Sequence, residues 1–183
     1  MRSILRFPLL AASLLTLALA GCVAPSSKAP PPAPAPTPAP APTLPPPPAP
    51  TGDWQDRPLT QGDWSYRAEP GGSVAVFVPS SREALLSFRC DLPTHRILVA
   101  RTGAMPTPSA QMVVRTTFGA VQWPATNDGA TLPHTVAIRA AGDGALDQIA
   151  FSRSRFAVEA PGLAPVIVPA WPEVTRVIED CRG

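Results

Sequence analysis

Three cysteines, two histidines and a scatter of arginines are the side chains with most chemistry to offer in this 183-residue chain. Cys90 and Cys181 are the pair a folded domain can join, since no Cys-x-x-Cys redox motif is present and two isolated histidines do not give the ligand spacing of a zinc site. His95 and His134 would serve a hydrolase only beside an aspartate, Asp91 or Asp128, and a serine such as Ser152. No Gly-x-Ser-x-Gly elbow and no Ser-x-x-Lys marks a nucleophile in the folded part, and both histidines sit in turn-like sequence, so no catalytic set is expected. Asn127-Asp128-Gly129 and Asp143-Gly144 with Asp147 lack the alternating carboxylates and closing glutamate of a calcium loop. They read as a turn and a helix cap, and neither a metal nor another cofactor is expected. Arg89, Arg115 and Arg139 fall at strand ends or outward faces; on neighbouring strands they would form an anion-binding strip for a phosphate or carboxylate. A solvated face is the plainer role, and Arg101 weakens the strip by sharing the strand parity of Ile97 and Val99. Trp123-Pro124 and Trp171-Pro172 offer sugar-stacking platforms or, more ordinarily, packing at a rim.

The elements that would position these groups are short and extended. Gly52-Asp53-Trp54-Gln55-Asp56-Arg57 recurs as Gly62-Asp63-Trp64-Ser65-Tyr66-Arg67, the first copy a lead-in and the second the entry to a strand over 64–68. Val74, Val76 and Val78 share one face of the next strand by period-two alternation. Leu86, Phe88 and Cys90 share another, followed by Ile97 with Val99, then Met112, Val114, Thr116 and Phe118. Val121 to Trp123 and Val136 with Ile138 continue the series, with Asn127-Asp128-Gly129 as a turn within a loop. Asp143 caps a short helix lined by Leu146, Ile149 and Ala150, and two strands flank Pro161-Gly162. Pro172 and Glu173 suit the first turn of a last helix in which Val174, Val177, Ile178 and Cys181 fall at i, i+3, i+4 and i+7. The expected fold is mostly β: one small β-sandwich or barrel-like domain with a short internal helix and a C-terminal helix. Cys90 on a strand's apolar face and Cys181 on the helix's apolar stripe then look into one core, and a structural disulfide between them is expected.

The first 21 residues are of another kind. Arg2 and Arg6 precede an apolar run over 9–19, too short to span a bilayer and followed by Ala20 and Gly21, in the form of a secretory signal. Leu19-Ala20-Gly21-Cys22 resembles the lipobox of bacterial lipoproteins. That resemblance implies a diacylglycerol thioether on Cys22, cleavage before it, and acylation of the new amino terminus. Val23 rather than aspartate follows the cysteine, which by the enterobacterial sorting rule implies the periplasmic face of the outer membrane rather than the inner. Without Arg2 and Arg6 the 15 basic residues fall to 13, against 13 acidic ones, so no basic footprint for nucleic acid remains. Residues 25–50 hold 14 of the 27 prolines; at ~3.1 Å per residue of polyproline II this segment reaches roughly 80 Å. The expected layout is a lipoprotein signal at 1–21, lipidated Cys22 with a disordered Pro/Ala-rich linker at 22–51, and a globular β domain at 52–183. A domain of about 130 residues buries roughly two-thirds of the surface its unfolded chain exposes.

From Gly62 onward, Gly62-Asp63-Trp64-Ser65-Tyr66, Phe88-Arg89-Cys90-Asp91, Phe151 to Phe156 and Trp171-Pro172-Glu173 resemble small envelope lipoproteins of alphaproteobacterial, sphingomonad type. The resemblance implies no activity and transfers no functional residue. A looser likeness to periplasmic lysozyme inhibitors lacks their Ser-Gly-x-x-Tyr loop; Tyr66 is the single tyrosine here. The function expected is a membrane-anchored, periplasm-facing module, structural or partner-binding, with an envelope protein or the cell wall as partner. A periplasmic hydrolase, or an inhibitor of a cell-wall-degrading enzyme, is the alternative.

Overall fold

The computed structural model describes residues 53–81 and 83–183. The expected signal at 1–21, the expected lipidation site Cys22, the expected linker at 22–51 and Gly52 lie outside the described residues. Nine strands and two helices follow in the order β1 (Asp63–Glu69), β2 (Gly72–Val78), β3 (Leu86–Asp91), β4 (Arg96–Thr102), β5 (Ser109–Thr116), β6 (Gly119–Asn127), β7 (His134–Ala140), α1 (Gly144–Ala150), β8 (Arg155–Glu159), β9 (Val166–Pro169) and α2 (Pro172–Arg182). All nine strands join one antiparallel sheet in the order β1-β2-β3-β4-β7-β6-β5-β8-β9, curled into a half-barrel. Of the two forms expected, this is the barrel-like one.

Closure comes from contacts between the sheet's two ends. The Trp64 indole on β1 donates to the Pro169 carbonyl on β9 at 2.9 Å. The lead-in to β1 runs beside β9, where Thr60 N–H donates to Ile167 O at 2.7 Å and Ile167 N–H to Thr60 Oγ1 at 3.1 Å. These bonds satisfy backbone groups that a bare edge strand would leave open.

One connection is long-range. After the β1–β4 meander the chain crosses one pole of the half-barrel to β5, and β6 and β7 then fold back so that β7 pairs with β4. Asn127, expected in a turn, ends β6 and clamps that crossover. Its Oδ1 accepts from Met105 N–H at 2.9 Å, and its Nδ2 donates to Met105 O at 3.0 Å and Thr107 O at 3.1 Å. The Pro161-Gly162 turn lies against the same crossover: Gly162 has φ +75°, and a Cβ there would stand 2.7 Å from the Pro106 ring.

The concave face holds the core. Trp64, Phe77, Phe88 and Phe156, from β1, β2, β3 and β8, meet with ring centroids 5.3–6.2 Å apart, mostly edge to face. Met112, Val114 and Trp123 extend this cluster along β5 and β6. Leu86, Phe88, Cys90, Ile97 and Val99 point inward as their alternation implies. Two strands turn their larger aliphatic residues away from the concave face. On β2 the concave side takes Ser73, Ala75 and Phe77, in register with Cys90, Phe88 and Leu86, while Val74, Val76 and Val78 face outward. On β7 it takes Thr135 and Ala137, leaving Ile138 half exposed on the convex side. Small residues suit a concave face crowded by the aromatic cluster, and on β2 by α2 lying across it. Val74 is still buried on the convex face, flanked in register by Arg67 and Arg89, both of which engage Glu69. Phe118 does not extend the β5 stripe; it occupies the β5–β6 turn.

Helix α2 forms where its sequence predicts, with Pro172 in its first turn and Val174, Val177, Ile178 and Cys181 buried. Its C-terminal end is held four ways. Cys181 stands at disulfide distance from Cys90, with Cα atoms 5.4 Å apart. The His95 ring donates from Nδ1 to Cys181 O at 2.8 Å, and Tyr66 Oη donates to Asp180 at 2.8 Å. Arg182 donates to Ala141 O at 2.9 Å and pairs with Asp147 on α1 at 2.8 Å. An isolated helix of 11 residues is marginal in water, so this docking makes it a stable element.

A link across 91 residues contributes about 4–5 kcal/mol by loop-closure entropy. Cys90→Ser/Cys181→Ser is therefore expected to lower the thermal midpoint and to open the chain to proteolysis near Arg176. Thiol titration of the unfolded, unreduced chain checks the bond itself; two reactive thiols from Cys90 and Cys181 would overturn it.

Candidate functional site

The three arginines of the expected strip are not brought together. Arg89 and Arg115 point outward from β3 and β5, whereas Arg139 shares the inward parity of Thr135 and Ala137 and lies opposite Ile97. Each is also held by a carboxylate: Arg89 by Glu69, Arg115 by Glu159 at 2.9 Å, and Arg139 by Asp143, with Nε 2.6 Å from Oδ2. Partly exposed pairs of this kind contribute about 0–1 kcal/mol each, but they cancel the charge an anion would need. Arg139 has a positioning role instead. Its guanidinium lies 5.6 Å from the Trp123 ring centroid and holds Asp143, whose other oxygen caps α1 by accepting from Ala145 N–H at 2.9 Å.

The hydrolase residues are likewise dispersed. His134 and Asp128 do pair, Nδ1 donating to Oδ2 at 2.8 Å, at the pole where β6 ends and β7 begins. Ser152 lies at the opposite pole, nearly buried, where its Oγ accepts from Thr117 N–H at 3.1 Å and donates to Arg155 O. Asp91 engages Thr94, and His95 is committed to α2. Among the described residues no three His, Cys, Asp or Glu side chains are placed to hold a metal ion. Tyr66 is part of the α2 contact, with the Arg176 guanidinium 4.1 Å over its ring. Of the two tryptophan–proline platforms, Trp123 is buried in the core and Trp171 stands at the rim, 41 % exposed.

Two features escape sequence reasoning. The first is Arg101, nearly buried at the end of β4. It reaches across the crossover pole to donate to Ala164 O at 3.0 Å and also bonds Thr102 O, while its Nε is buried without a partner. Burial pulls its pKa below the usual arginine value, and among the described residues no carboxylate pairs with it. Its parity with Ile97 and Val99 was the available signal. The second is the knot made by Asp128. Oδ1 accepts from Ala130 N–H at 3.1 Å and His134 N–H at 2.9 Å while Oδ2 takes the imidazole. The His134 amide, then that of Ala130, hold this carboxyl below its ordinary pKa against an opposing effect of desolvation, and the His134 ring adds to the lowering.

Compared with known proteins, the chain matches no family model, no curated protein and no solved structure.

Removing the Arg101 strap leaves the Ala164 carbonyl without its partner and a void behind it. Arg101→Ala is expected to cost about 2–4 kcal/mol in chemical denaturation, with Arg101→Lys recovering only part. Because Asp128's folded pKa is depressed, its support for the 128–134 loop is complete above the unfolded pKa of about 4 and fades as pH falls through the lower folded value. A carboxyl-carbon NMR titration is expected to place the Asp128 midpoint below that of an ordinary aspartate. Asp128→Asn should speed amide exchange at His134 at neutral pH; unchanged exchange would refute the knot.

Proposed function

We propose that this chain is a lipid-anchored module of the bacterial cell envelope, acylated at Cys22 and held at the periplasmic face of the outer membrane, acting by structural or partner contact rather than by catalysis. The observation that carries this reading is the cysteine arithmetic. Cys90 and Cys181 stand at disulfide distance, which leaves Cys22 outside that pair, in a sequence that resembles a lipobox. A buried pair of this kind suits an oxidising compartment, and the signal-like residues 1–21 point the same way. One acyl chain holds a protein only marginally, at about 0.8 kcal/mol per buried methylene, and the additional chains that the resemblance implies make the anchor stable. The proline-rich residues 25–50 then act as a spacer between anchor and domain.

The non-catalytic half of the reading is supported by where the candidate groups went. His95, Ser152, Arg139 and Tyr66 each hold two elements of the fold together. A partner in the envelope, protein or cell wall, is the corresponding ligand class. The alternative of a hydrolase, or of an inhibitor of a cell-wall-degrading enzyme, has the single His134–Asp128 pair in its favour.

Cys22→Ala is expected to abolish lipid labelling and release the protein from the membrane fraction or leave its signal uncleaved; normal acylated retention would refute the anchor. Serine-directed activity probes are expected to leave the purified protein unlabelled, and labelling would refute the non-catalytic reading.

A further inference from the structure

Six large apolar side chains are exposed among the described residues, and the three aromatic ones, Phe118 at 59 %, Phe151 at 68 % and Trp171 at 41 %, gather at one pole. The hydrogen bonds of that pole place them together. Thr117 in the β5–β6 turn accepts from Arg153 N–H at 3.0 Å and donates its own N–H to Ser152 at 3.1 Å. Ser154 O accepts from Ala170 N–H at 3.0 Å. Phe118, Phe151 and Trp171 are the chain neighbours of these bonded residues. Leu92, Leu132 and Ile138, the other three, are dispersed over the β3–β4 connection, the opposite pole and the convex face. Single exposed apolar residues are ordinary, whereas three aromatics on one rim mark a contact surface.

The same pole receives the incoming chain. Arg155 donates from one guanidinium nitrogen to Gln55 O at 2.9 Å and Arg57 O at 2.8 Å, which pins the lead-in beside Thr117, Phe118 and Arg153. Fifty-two residues precede Asp53, Cys22 among them. Arg153 is exposed and meets no carboxylate among the described residues, and Arg155 spends its donors on carbonyls. With Arg57 they outnumber Asp53 and Asp56, the acidic residues of the lead-in, by one charge. Aromatic rings with arginine at their edge suit the boundary between phospholipid headgroups and acyl chains, and an anionic surface adds attraction.

We infer that the Phe118–Phe151–Trp171 pole is a bilayer-contact surface, by which the domain rests on anionic phospholipid. The orientation argument rests on the lipid-anchor reading: a tether entering at this pole turns it toward the membrane. The roughly 80 Å span of residues 25–50 is a limit on reach, not a fixed height, and tethering lets a weak contact be populated through its high local concentration.

The test removes the anchor so that the two readings fail separately. The chain from Val23 onward, lacking the signal and the acylated cysteine but containing all the described residues, is mixed with vesicles of phosphatidylethanolamine and phosphatidylglycerol and centrifuged. It is expected to sediment with the vesicles. Phe118→Ser/Phe151→Ser/Trp171→Ser should weaken that partition at least about tenfold with an unchanged melting midpoint, which exposed positions permit. Failure to sediment, or equal sedimentation of the variant, would overturn the bilayer surface while leaving acylation at Cys22 untouched. Binding to isolated peptidoglycan through the same aromatics, with none to vesicles, would overturn it in favour of a glycan. Failure of Cys22 labelling, in turn, refutes the anchor and leaves the vesicle result standing.

Discussion

The indole of Trp64 bonds the first strand of the sheet to the last. It donates to Pro169 across 105 residues while its ring packs on Phe77, Phe88 and Phe156. A single antiparallel sheet left open would expose one apolar face; curling it around a shared aromatic cluster buries that face without a second sheet. The lead-in bonds of Thr60 to Ile167 are the backbone half of the same closure. Other features follow from this curvature: a crowded concave face, small residues under α2, and two poles that need separate coverings.

Those poles are covered by different physics. At the crossover end polar side chains act as straps, Asn127 on Met105 and Thr107, and Arg101 on Ala164. Here the irregular backbone is largely exposed apart from Met105, and side-chain bonds rather than apolar cover hold it in place. Across the β1–β4 part of the concave face the cover is α2, apolar toward the core and fixed at Cys181. The covalent link and the His95, Tyr66 and Arg182 contacts gather near the helix C-terminus, where a chain end frays most easily. Its N-terminal end depends on burial of Val174 and Val177 alongside Trp171 at the rim.

Local chemistry was legible in the sequence wherever a rule concerns a few adjacent residues. The Asp143 cap, the α2 stripe, the Pro161-Gly162 turn and the Leu86-Phe88-Cys90 alternation all appear as expected. Period-two alternation identifies two faces but does not say which one curves inward. On β2, Val74, Val76 and Val78 do share one face, but it is the convex one, and Ala75 and Phe77 enter the core. The arginine strip failed for the same reason, since Arg139 sits on the other face from Arg89 and Arg115. Placing β7 beside β4 requires knowing a contact some forty residues apart in sequence, which no local pattern encodes. Asn127 shows the consequence: beside Asp128-Gly129 it looks like a turn residue, and only the crossover reveals it as a clamp.

The distribution of committed and uncommitted groups narrows what the surface can do. Arg115, Arg139 and Arg182 are each spent on a carboxylate of their own or a neighbouring element, while Arg67 and Arg89 share Glu69. The Tyr66–Arg176 stack and Asp180 are likewise absorbed by the α2 contact. Phe118, Phe151 and Arg153 stay uncommitted where the β5–β6 turn meets the α1–β8 loop, with Trp171 beside them and the chain entering through Gln55, while Leu92, Arg96, Leu132 and Ile138 are exposed singly on other elements. Ser154 at this site holds φ +65°, a backbone state unfavourable for a serine, and its carbonyl anchors Ala170 there. The aromatic rings and Arg153 therefore sit on a rim braced by that carbonyl, beside the point where the lead-in enters the fold.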